Sequence, residues 1–126
     1  MSDIETGARP VGIILLENLL PSLVKGAPIA VVYPDDGAIP IPSPIAILAS
    51  TDEPDLARRV YDFMFSDAMQ AAIVAGHMYS PLPGRAPPEG ARAWEQLKRY
   101  PWTNEFLASV SARRDEIKKR FRSIMR

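Results

Sequence analysis

Residues 11–48 carry three apolar runs separated by polar punctuation: VGIILL, APIAVVY and AIPIPSPIAIL. The first is short, continuous and β-branched toward its start, the pattern of a strand buried on both faces of a sheet. Gly12 inside it points to close approach of another backbone. Glu17-Asn18 ends this run. Leu19, Leu20, Leu23 and Val24 then recur at helical spacing, with Pro21 suited to a first turn and Lys25-Gly26 supplying a basic last turn and a glycine stop. The second run, residues 27–33, reads as another strand. Pro34-Asp35-Asp36-Gly37 follows as a turn in which Pro sets φ and Gly takes a positive one. In residues 38–48, Pro40, Pro42 and Pro44 alternate with Ile39, Ile41 and Ser43. One edge of an extended chain therefore loses N–H donors while the other keeps them. The segment can form an edge strand or an extended crossing, but its first half cannot be a central strand.

Beyond residue 48 the apolar period becomes helical. Thr51-Asp52-Glu53-Pro54 starts a helix whose apolar face is Leu56, Val60, Phe63 and Met64. Ser66-Asp67 caps a second, with Met69, Ala72 and Ile73 inward and Gly76 as its stop. Residues 77–88 are too rich in Pro for regular structure. A weaker helix surrounds Trp94 and Leu97. Thr103 caps a last helix from Asn104 to about Met125, striped by Phe106, Val110, Ile117, Phe121 and Ile124, with Leu107 beside the stripe. The expected class is α/β: a few-stranded mixed sheet over about residues 10–48, then three or four helices over about 54–125, behind a disordered lead of residues 1–8.

Composition narrows the function classes. A chain of 126 residues, 47% hydrophobic and 24% charged, is long enough for one domain with a core. Its formal net charge is zero, which gives no global electrostatic case for nucleic acid or an anionic membrane. The charge is nevertheless unevenly placed. Residues 1–63 hold nine acids against Arg9, Lys25, Arg58 and Arg59, whereas residues 64–126 hold eleven bases against six acids. Without Cys there is neither a disulfide framework nor a thiolate metal site. The opening MSDIETGARP lacks the basic and apolar regions of a secretory signal.

No catalytic signature is present: there is no Gly-rich phosphate loop, no nucleophile elbow and no HExxH. His77 is the single His and directly follows Gly76, a position where His ordinarily meets the last helical carbonyls. Asp35-Asp36 could hold a cation or an amine, but adjacent side chains on an extended chain diverge and Pro-Asp-Asp-Gly is ordinary turn chemistry. The last helix carries Arg113, Arg114, Lys118, Lys119, Arg120, Arg122 and Arg126, with Asp115 and Glu116 among them. That pattern suits a solvated outer face and the helix dipole, or alternatively a small interaction or nucleic-acid-binding module. Glu17 and Asn18 stand out. They lie where an expected buried strand gives way to a helix, the place at which open α/β sheets bind ligands, and both can hydrogen-bond a ligand amine or hydroxyl.

Taken in order, VGIILLEN before a short helix, KGAPIAVVYPDDGAIPIPSPIAIL, ARRVYDFMFSDAMQAAI, the Tyr-x-Pro-x-Pro of MYSPLP and the closing FLASVSARRDEIKKRF resemble one family. The chain is similar, over residues 9–125, to the C-terminal part of bacterial ABC-importer extracellular solute-binding proteins. The branch is the ferric-iron, thiamine, putrescine and phosphonate type, of the type 2 periplasmic-binding-protein fold. The resemblance implies a two-lobed protein that closes on its solute by a hinge and delivers it to a permease. It also implies a periplasmic or extracellular location and binding without catalysis or cofactor, the solute being small and polar, anionic, or ferric iron.

The resemblance places ligand contacts at Glu17 and Asn18. Family members are much longer, so most of both lobes is expected to precede this chain. The tyrosine pair that clamps ferric iron in some members is expected upstream as well. Tyr33, Tyr61, Tyr79 and Tyr100 form no such pair, and no metal ligand is assigned. Apolar surface left open by a partial fold predicts self-association, including exchange of elements between copies.

Overall fold

The computed structural model describes residues 2–124. It contains helices α1 (Ser2–Glu5), α2 (Leu16–Val24), α3 (Pro54–Met64), α4 (Asp67–Ala75), α5 (Asn104–Ala112) and α6 (Arg114–Ile124), with a 3-10 turn at Trp94–Gln96. Two compact units share the chain. The first is Met1–Val32 with Pro42–Leu97, and the second is Tyr33–Ile41 with Lys98–Arg126. No described helix is long and apolar enough to cross a membrane.

The expected α/β class, a few-stranded mixed sheet followed by three or four helices as in the type 2 periplasmic-binding-protein fold, is corrected by the backbone. Among the described residues there is no strand; the pairing present is one isolated parallel bridge between Ala38 and Arg99. The physical reason is that a strand needs a neighbour at 4.7–4.9 Å, and these segments do not supply one another. A parallel pair of the first two runs needs a crossover of about a dozen residues or more, and the connection from Leu16 to Gly26 falls short of it. Pro28, Pro40, Pro42 and Pro44 remove further donors. The runs form no ladder and lie open, with Val11 76%, Ile13 100% and Val32 86% exposed.

The helices, by contrast, start and stop on local chemistry. The Ser66 hydroxyl accepts from Met69 N–H at 3.3 Å, and Thr103 accepts from Phe106 N–H at 3.1 Å. Pro54 occupies the first turn of α3. At the end of α2, Gly26 is left-handed with φ 81°; its N–H donates to Leu23 C=O and that of Ala27 to Ser22 C=O, the paired bonds of a Schellman cap. The end of α4 has the same two bonds, His77 N–H to Val74 C=O and Met78 N–H to Ile73 C=O. There His77, at φ 65°, takes the left-handed position and Gly76 does not.

The last helix is broken in two. Arg113, with φ −102° and ψ 13°, separates α5 from α6 without any Pro or Gly. Arg113 and Arg114 occupy the positions where the stripe from Val110 to Ile117 would need an apolar residue, so no packing holds the helix straight there. The expected end at Met125 and the cation Arg126 lie outside the described residues. The weaker helix expected around Trp94 and Leu97 shortens to its 3-10 turn.

In the second unit, Gly37 is the buried hinge of the Asp-Asp-Gly turn. Its N–H donates to Pro34 C=O at 3.1 Å, and its φ is +120°. Next to it Ala38 N–H donates to Lys98 C=O and Tyr100 N–H donates to Ala38 C=O, both at 2.9 Å. A Cβ on Gly37 would lie 2.6 Å from Tyr100 N, closer than backbone tolerates. Phe106 then packs on Tyr100 and Trp102, with ring centroids 5.1 and 5.4 Å away.

Gly37→Ala is expected to cost about 1–3 kcal/mol through strain and clash together. It should lower the urea midpoint followed by tryptophan fluorescence; an unchanged midpoint would contradict this packing. The Glu105 carboxyl is held below its ordinary value, first by its own backbone N–H and then by the Thr103 hydroxyl. A depressed folded value means that this cap interaction is fully present above the unfolded value and is lost as pH falls through the folded one. An NMR titration of Glu105 should therefore reach its midpoint below the ordinary Glu range, and Thr103→Val should move that midpoint upward.

Candidate functional site

Glu17 and Asn18 occupy the first turn of α2, Glu17 half-buried and Asn18 exposed. Residue Leu15 before them is extended, at φ −66° and ψ 135°, and provides no side-chain cap. Asn18 N–H donates to Leu15 C=O at 3.0 Å. The first-turn N–H groups thus carry the positive end of the helix dipole with no side-chain oxygen closing over them. A carboxylate and an amide stand beside that end. Together they can accept from a cationic or hydroxyl group and donate to an anionic one.

What fixes the direction of α2 is Leu20, which is fully buried. The chain at Gly90, left-handed with φ 81°, lies over it. A Cβ at Gly90 would stand 3.3 Å from both Leu20 and Leu23 side-chain carbons. Pro88 is buried just before this turn. The loop therefore meets the side of α2 at Gly90, against Leu20 and Leu23, and not at its Glu17 end.

This unit also has an open groove of ≈ 500 Å³ lined by Gln70, Val74, His77, Arg85 and Glu89 among others. Two of its polar side chains, Gln70 and Arg85, are already engaged. Gln70 is 1% exposed. Its amide NH₂ donates to Met64 C=O at 2.7 Å, and its carbonyl accepts from the Ser80 hydroxyl at 2.6 Å. Ser80 in turn accepts from Leu82 N–H at 3.1 Å. Arg85 is ion-paired with Asp67 at the start of α4. This network ties the Pro-rich loop to α4. It is structural, and no buried side-chain polar atom among the described residues lacks a partner.

Sequence reasoning placed Met69, Ala72 and Ile73 inward and missed Gln70, the residue α4 buries. Nothing in the local pattern distinguishes Gln70 from a solvent-facing glutamine, because its partner Ser80 is ten positions away.

The remaining candidates fall apart in space or function. Asp35 and Asp36 are both exposed in their turn, and the Asp35 carbonyl receives Lys98 Nζ. Lys118, Lys119 and Arg122 line an exposed concavity on α6 with Asp115 and Ser123. The tyrosines are dispersed: Tyr79 OH donates to Arg92 C=O at 2.6 Å, Tyr61 packs on Phe65 and Tyr100 on Phe106. Among the described residues no group of three His, Cys, Asp or Glu could hold a metal ion.

A family model described as bacterial extracellular solute-binding protein matches residues 6–108. The match takes in the start of α2, the groove and most of α5, and it stops before α6. No curated protein and no solved structure matches the chain.

Gln70→Ala is expected to lower stability by about 2 kcal/mol, since it strands the Ser80 hydroxyl and the Met64 carbonyl. It should also speed tryptic cleavage after Arg85. Unchanged melting and cleavage would show that the Gln70 network does not hold the loop.

Proposed function

Because the chain belongs to the bacterial extracellular solute-binding proteins, we propose that it captures a small polar or anionic solute and passes it to the permease of an ABC importer. Membership itself carries a solute-binding role in bacterial transport and a periplasmic or extracellular setting. The observation that supports the finer reading is the extent of the match, residues 6–108, which includes the uncapped start of α2 with its carboxylate and amide.

The proposed contacts are Glu17 and Asn18. Glu17 accepts from an ammonium or hydroxyl of the solute. Asn18 and the first-turn N–H groups of α2 receive its anionic end. A solute that carries both kinds of group satisfies both sides of the site. Inorganic phosphate alone would meet the N–H groups but be repelled by Glu17. The chemistry is reversible hydrogen bonding and charge pairing, and no bond of the solute is made or broken.

Calorimetric titration with a panel of amino acids, phosphonates, polyamines and thiamine tests this reading. At least one is expected to bind, with Glu17→Ala and Asn18→Ala each raising Kd about tenfold, the loss of one charge-assisted hydrogen bond. A solute whose Kd is the same in both variants and the parent would remove Glu17 and Asn18 from the site.

A further inference from the structure

Residues 79–92 close on themselves. The Tyr79 hydroxyl donates to Arg92 C=O at 2.6 Å, and the Tyr79 ring lies against Trp94 with centroids 5.4 Å apart. The two ends of the segment are thereby joined, as in an Ω-loop. One side of the loop is tied to α4, where the Ser80 hydroxyl donates to Gln70 Oε1 at 2.6 Å and Arg85 pairs with Asp67. The other side rests on α2. Pro88 is fully buried, and Ala91 N–H donates to Pro88 C=O at 3.0 Å. Within that turn, a Cβ on Gly90 would stand 3.3 Å from Leu20 and Leu23 and 3.9 Å from Val24. All of these contacts lie inside one compact unit.

We propose that this loop is a strap that sets the position of the start of α2, with Ser80 as its positioning residue. Its functional consequence rests on the solute-binding reading; its mechanics do not. The line of contact is short. Met64 C=O at the end of α3 receives the Gln70 NH₂, the Gln70 carbonyl receives the Ser80 hydroxyl, and the loop carries Gly90 to Leu20. Gln70 is buried, so it cannot turn after a displaced Ser80 without leaving an amide atom unbonded. The Arg85–Asp67 pair adds little to the tie, because Asp67 is 91% exposed.

Leu20 is fully buried and follows Glu17 by less than one helical turn. Over so short a stretch a helix moves as one body, so what holds Leu20 also holds Glu17 and Asn18. A helix start fixed before the solute arrives loses less freedom on binding. Loosening the strap therefore weakens binding without removing a contact to the solute.

Amide hydrogen exchange of the full chain, followed by NMR, reads the mechanics without any solute. In Ser80→Ala the amides of Leu20, Leu23 and Val24 should exchange about tenfold faster, the effect of one lost hydrogen bond, while those of α5 in the other unit keep their rates. Ser80→Thr retains the hydroxyl and should keep the parent's rates. Unchanged α2 rates in Ser80→Ala, α2 and α5 rates raised alike, or Ser80→Thr as fast as Ser80→Ala would each overturn the proposal. Should Ser80→Ala fail to fold, Tyr79→Phe opens the strap at its base while keeping the ring, and faster exchange confined to α2 or its absence decides. For a solute found by titration, Ser80→Ala should also raise Kd about tenfold. Faster α2 exchange beside an unchanged Kd would uphold the strap and remove Glu17 and Asn18 from the solute site.

Discussion

Two buried side chains of opposite chemistry hold the first unit, and the candidate site depends on both. Leu20 anchors α2 beneath the Gly90 turn. Gln70 anchors the Pro-rich loop to α4 through the Ser80 hydroxyl and back to α3 through the Met64 carbonyl. A buried leucine contributes through area alone and tolerates small shifts. A buried glutamine with both ends bonded tolerates few, because each lost partner strands a polar atom. The loop that carries Pro88 and Gly90 toward α2 is the same loop that Ser80 fastens, so the orientation of the Glu17 turn is set partly by Gln70.

So few anchors leave much apolar side chain in water. On α3, Leu56, Val60 and Phe63 of the apolar stripe are 51–56% exposed, and on α6 Phe121 is 58% and Ile124 69% exposed. Burying one such side chain contributes about 1.5–3 kcal/mol. These residues are therefore spaced for contacts that the described elements do not make among themselves. For a binding protein the same looseness has a functional side. A helix start held from one flank, as α2 is by the Gly90 turn, can adjust to a solute without disturbing a large core.

Helix ends were legible in the sequence because capping is local. Ser66, Thr103, Pro54 and Gly26 each act on groups within a few residues, and each acts where the pattern placed it. The strands were not legible, because an apolar run records only that a segment suits burial and says nothing of whether a pairing edge exists within reach. Residues 11–15 have the composition of a central strand but no ladder. His77 shows a subtler limit. The cap motif was present in the sequence, but which of Gly76 and His77 would take the left-handed turn depended on one residue of register. For the site, the sequence located Glu17 and Asn18 at a helix start. Nothing in that placement by itself distinguishes a ligand contact from an ordinary first turn.

Exposed helices and exposed extended segments are not equivalent demands on the solvent. In α6 every backbone group beyond the ends is satisfied within the helix, so Ile117, Phe121 and Ile124 forgo only side-chain burial, and Lys118, Arg120 and Arg122 keep the segment well hydrated. Residues 11–14 expose apolar side chains and unpaired backbone together, with no charge between Pro10 and Leu16 to oppose a second strand. Edge strands in stable monomers ordinarily carry such a charge, a proline or a bulge. Here the nearest charges are Arg9 and Glu17, one at each end. The segment therefore carries no charge among its apolar residues, whereas α6 interleaves the two along its whole length.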